Sequence, residues 1–62
     1  MSEYMIKVRE RRTRPFWFLS SGGGMNRLRI HAVRFTEKAK ADAVAEEIER
    51  ENPLYEAKVI QA

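Results

Sequence analysis

The side chains able to do covalent or acid–base chemistry are few. His31 is the only histidine and Asp42 the only aspartate, and Ser20 and Ser21 adjoin a run of three glycines. A Ser–His–Asp relay needs hydroxyl, imidazole and carboxylate in hydrogen-bond series. Asp42 falls on the polar side of an expected helix, behind the sheet from His31, so no triad is expected. Glu46, Glu47, Glu49 and Glu51 crowd the same helix. Paired acid–base work requires carboxyls in unlike environments within a cleft, whereas these read as a solvated face. No His, Cys or carboxylate set converges as metal ligands would, and no cofactor is implied. Gly22-Gly23-Gly24 lacks the lysine and hydroxyl of a phosphate loop, and a strand rather than a helix is expected after it. It reads as a hairpin connection, and the chain as a non-enzyme.

The stronger chemical signal is cationic. Eight Lys and Arg against two carboxylates before Thr36 give that part +6. Four cations against seven carboxylates from Glu37 onward give −3, which accounts for the net +3. Arginine predominates, which favours planar contacts to phosphate, carboxylate or aromatic groups. The candidate partner-binding residues are Lys7, Arg9, Arg11, Arg12, Arg14, Trp17, Arg27, Arg29 and His31.

The elements that must position them follow from periodicity. Tyr4 to Arg9 alternates, with Tyr4, Ile6 and Val8 on one side and Met5, Lys7 and Arg9 on the other, as in a half-buried strand. Glu10 to Arg14 is a cation-rich connection, closed by Pro15 at the entrance to a strand over Phe16 to Leu19. Ser20 to Asn26 is a glycine loop, costly to order and therefore expected to be slack. Arg27 to His31 reads as a third strand with Leu28 and Ile30 inward, and Phe35 then tucks beneath a helix. Thr36 is the expected N-cap. Ala41, Val44, Ala45 and Ile48 form the apolar stripe of that helix, and Asn52-Pro53 stops it. Leu54 to Gln61 is the last strand, with Tyr55, Ala57 and Val59 inward.

The order β-β-β-α-β implies an α+β fold: one two-layer domain spanning residues 1–62, a mostly antiparallel four-stranded sheet with one helix on one face. A single helix leaves the other sheet face open. On this phase that face carries Met5, Lys7, Arg9, Trp17 and Leu19, with Arg27, Arg29, His31, Lys58 and Ile60. A one-residue bulge near Pro15 would flip the second strand, turning Trp17 toward the helix and Phe16 and Phe18 outward.

Two uses of such a face are distinguishable. Cations flanking an exposed indole suit single-stranded nucleic acid, through phosphate contacts and base stacking. The same indole with Met5, Leu19 and Ile60, rimmed by arginine, suits a protein interface. The charge split also allows a homodimer, acidic helix against basic sheet.

Composition bounds the class. Sixty-two residues without cysteine exclude a disulfide framework or a thiolate zinc site. No apolar run approaches the roughly 20 residues that span a bilayer, so no membrane partner is expected. MSEYMIKVRE lacks the pattern of a signal peptide, and the chain reads as a soluble, cytoplasmic protein.

The segment AVRFTEKAKADAVA from Ala32 to Ala45, with the opening YMIKVRE, the FLSSGGG turn and the closing YEAKVIQA, resembles short bacteriophage and prophage accessory proteins. That resemblance implies non-catalytic binding of a host protein or nucleoprotein complex, as in inhibitors of host defence such as anti-CRISPR proteins. Many such inhibitors are acidic DNA mimics; this chain is basic. It would act by covering a surface with its arginine face.

Overall fold

The computed structural model describes residues 2–62. The first strand, β1 (Tyr4–Glu10), is central and pairs antiparallel on both sides. One neighbour is β2 (Trp17–Leu19), the other is β4 (Tyr55–Gln61), and β3 (Met25–Asn26) lies outside β2. The helix α1 (Lys38–Glu51) covers β4 and β1 on one face. The expected α+β architecture, one helix on a four-stranded antiparallel sheet, is therefore the observed one.

Alternation along β1 divides two small cores. Ile6 and Val8 are fully buried with Ala45, joined by Leu19, Phe35, Val44, Ile48, Tyr55, Ala57 and Val59. This is the expected helix-side core, including Phe35. Met5 turns to the opposite face, yet it is equally buried, beneath Phe18, Ala32 and Ile60. The face without the helix is thus half covered. The cover comes from Arg27–Phe35, which returns along the sheet. Ala32 bridges to Ser20, and Phe35 and Tyr4 exchange backbone bonds of 2.8 and 2.9 Å, taking the place beside β1 that β2 vacates after Leu19.

Three local expectations are corrected. Arg27 to His31 is not a strand, because β3 ends at Asn26. The Asn26 side-chain oxygen accepts the Leu28 N–H at 2.8 Å, an Asx-type turn, and a 3₁₀ turn follows over Arg29–His31. Leu28 and Ile30, expected inward, are therefore 58% and 78% exposed. The glycine loop is shorter than Ser20 to Asn26, because Met25 and Asn26 pair with Leu19 and Phe18 as β3. Ser20 donates its N–H and its hydroxyl to the Gly24 carbonyl at 2.9 and 3.0 Å, and Gly23 stands at φ 86°, which a residue with a Cβ rarely adopts. Glu37, not Thr36, caps α1: its backbone is extended and its carboxylate turns to Lys40 at 3.1 Å rather than to the helix. The helix stops where Pro53 requires. The Asn52 N–H still reaches the Ile48 carbonyl at 3.0 Å, and the Tyr55 N–H donates to Asn52 at 2.9 Å to start β4.

Candidate interaction surface

Strand register decides which cations share a face. Lys7 stands opposite Phe18 and Lys58, and Val8 opposite Trp17 and Ala57. Trp17 therefore lies on the helix-bearing flank with Val8, and Phe16 and Phe18 lie with Lys7 on the other. The phase expected for the second strand is reversed, and the flipped alternative is the observed one. Trp17 does not join Lys7 and Lys58, although Arg9 and Trp17 border one groove at the end of the sheet. Leu19 likewise belongs to the helix-side core.

Lys7, Arg9, Glu56 and Lys58 line a shallow depression of about 110 Å³ on the uncovered half of the sheet. Arg9 donates from Nε and Nη2 to one Glu56 oxygen, at 2.9 and 2.8 Å. The hydrogen bond from Arg9 is the main reason the Glu56 carboxyl sits below its ordinary range; partial desolvation opposes it, and the charges of Arg9, Arg11 and Lys58 add to it. Lys7 and Lys58 are direct cross-strand partners, an arrangement that costs energy for like charges. The Lys7 ammonium offsets part of this by lying 4.1 Å from the centroid of Phe16, which meets Phe18 edge-to-face at 5.5 Å. Three cations thus surround one carboxylate, leaving the depression net positive.

The remaining candidates disperse. Arg11 is committed to structure, donating from Nε to the Pro53 carbonyl at 2.7 Å and from its backbone to Leu54. Arg12 and Arg14 are exposed on the connection after β1, Arg12 at φ 67°. Arg27 lies over the Trp17 ring at 5.6 Å. Val8, Arg9, Glu10, Trp17, Met25 and Tyr55 line a second groove of about 200 Å³, so Arg9 borders both depressions. Arg29 and His31 are exposed in the 3₁₀ turn beside Ile30. Phe16, Leu28 and Ile30 belong on any account of the surface, and periodicity placed each of them wrongly. The signal available for Leu28 and Ile30 was Asn26, whose short side chain favours a turn two residues on.

Ser20 and Asp42 are engaged separately, Ser20 with Gly24 and Asp42 with Lys38 at 3.5 Å. Among the described residues no three His, Cys, Asp or Glu side chains form a metal-binding group, and no helix is long and apolar enough to cross a membrane. Comparison with protein-family models, with curated proteins and with solved structures finds no match.

Proposed function

We propose that this chain is a non-enzymatic interaction protein that docks onto an acidic protein surface. Its contacts are the Lys7–Arg9–Lys58 depression and the aliphatic prominence of the 3₁₀ turn. The observation that carries this reading is the exposure of Leu28 and Ile30 alongside exposed Arg29 and His31. Large aliphatic side chains held in water beside cations gain most from a partner offering an apolar pocket rimmed by carboxylates. A polynucleotide rewards the cations but not the aliphatics. The role implied by the resemblance to phage accessory proteins, covering a host factor or nucleoprotein complex as an anti-CRISPR protein does, is part of this proposal.

A second reading, single-stranded nucleic acid, draws support from the cation–ring pairs Lys7–Phe16 and Arg27–Trp17. Those pairs lie on opposite flanks, so one strand could not follow both along a flat path. The experiment compares affinity capture from host extract by the parent chain, by Leu28→Asp/Ile30→Asp and by Lys7→Glu/Lys58→Glu, alongside oligonucleotide titrations at two salt concentrations. One protein retained by the parent and lost by both variants supports the first reading. Submicromolar oligonucleotide binding that falls steeply with salt, and is lost with Lys7→Glu/Lys58→Glu, replaces it with the second.

A further inference from the structure

The outer edge of the sheet carries a second surface, separate from the cationic face. The Ala62 N–H donates to Glu3 at 2.8 Å and the Arg11 N–H to Leu54 at 2.7 Å, both extending the β1–β4 register. With that phase Met5, Lys7 and Arg9 exchange backbone bonds with Ile60, Lys58 and Glu56. The N–H groups of Tyr55, Ala57, Val59 and Gln61 then point away from β1, off the end of the sheet. Two of the four are satisfied from within the chain: Tyr55 donates to the Asn52 carbonyl at 2.9 Å, and Ala57 donates to Glu49 Oε2 at 2.9 Å. The backbone N–H groups of Val59 and Gln61 have no acceptor among the described residues, while the Gln61 side chain donates from Nε2 to the Ser2 hydroxyl at 3.0 Å. The Glu49 carboxylate occupies the place of a strand carbonyl, so half of this edge is closed and half is open.

The charge above the open half selects the partner. Glu49 reaches over the edge from α1, and Glu46, three residues earlier, lies on the same side of the helix. Asp42, a further turn back, is paired with Lys38, whereas neither Glu46 nor Glu49 has a cation within 4.0 Å among the described residues. Two copies joined antiparallel at β4 would set both helices on one side, with these carboxylates facing each other. We propose that the open half of the β4 edge accepts an extended, lysine- or arginine-bearing segment of another protein as a fifth strand. Backbone bonds form to Val59 and Gln61, and the cationic side chains lie against Glu46 and Glu49.

The test uses two capped synthetic heptapeptides, one alternating lysine and valine and the other alternating glutamate and valine. Titration against the isotope-labelled chain follows amide shifts and exchange protection, with Gln61→Pro and Glu46→Lys as variants. Both positions are exposed, and proline at an outward-facing edge N–H is compatible with the strand. Far-UV circular dichroism establishes that each variant is folded. The expected result is binding of the lysine peptide with new protection at Val59 and Gln61. The glutamate peptide and the Gln61→Pro variant each weaken it by about tenfold or more, and Glu46→Lys reverses the peptide preference. Equal binding of the two peptides, full affinity in Gln61→Pro, or no binding at millimolar peptide overturns the proposal. Self-association without peptide that Gln61→Pro abolishes overturns it in favour of a second copy.

Discussion

Met5 and Ile30 exchange the roles that alternation assigns them, and their truncation to alanine separates the two arrangements. Met5 has no exposed surface and packs with Phe18, Ala32 and Ile60 on the face away from the helix, whereas Ile30 is 78% exposed. Removing a buried methionine side chain loses its transfer energy and leaves a cavity, at a cost of about 2–5 kcal/mol. Met5 is held between β4 on one side and the returning Arg27–Phe35 segment on the other, which limits collapse, so a cost of about 3 kcal/mol is expected for Met5→Ala. A domain of 62 residues has a total stability of about 3–9 kcal/mol, so that single change removes a third or more of it. At about 4–8 °C per kcal/mol for a domain this small, the melting temperature falls by roughly 12–24 °C. Ile30→Ala stays within about 0.5 kcal/mol, as for other surface substitutions. Met5→Leu, nearly volume-conserving, costs less than about 1.5 kcal/mol and shows that volume rather than sulfur matters. Urea titrations followed by Trp17 fluorescence, with a common slope, give the three values. If Ile30→Ala costs as much as Met5→Ala, the 3₁₀ turn is not where the structure puts it and the aliphatic prominence does not exist.

Other outcomes follow from single contacts. Arg12 holds a left-handed backbone at φ 67°, so Arg12→Gly stabilises the chain by about 1 kcal/mol in the same assay. Asn26→Ala removes the acceptor of the Leu28 N–H and costs about 1 kcal/mol; solvent can replace that exposed bond, which keeps the value small. Glu56 titrates below its ordinary range because Arg9 binds its charged form, so Arg9→Ala raises its midpoint in a carbon-detected NMR titration. Since the folded value is the lowered one, the pair's stabilising effect is present above the unfolded carboxylate range and fades as pH drops through the folded midpoint. An unchanged Glu56 midpoint in Arg9→Ala would remove the pairing from the account.

What the residues determine alone is what local periodicity can carry. The apolar stripe from Ala41 to Ile48, the stop at Asn52-Pro53, the alternation of Tyr4–Arg9 and the inward set Tyr55, Ala57 and Val59 each have one low-energy arrangement against a single hydrophobic layer. They fix an α+β fold and place Lys7, Arg9 and Lys58 on the side away from the helix. The phase of β2 is different in kind. With Phe, Trp, Phe and Leu in succession, either side is apolar enough to be buried, so alternation cannot choose. The choice falls to cross-strand register, where Phe18 meets Lys7 and Met5 needs a cover. Likewise Arg27–His31 alternates like a strand, but no strand remains to pair with it once Asn26 turns the chain and Ala32 is drawn over Met5. Tertiary structure alone decided that the cations divide between two flanks and, once the local turn at Asn26 had broken the strand, that Leu28 and Ile30 stay in water. Both outcomes depend on which distant segment fills a gap beside β1, and no local pattern encodes that.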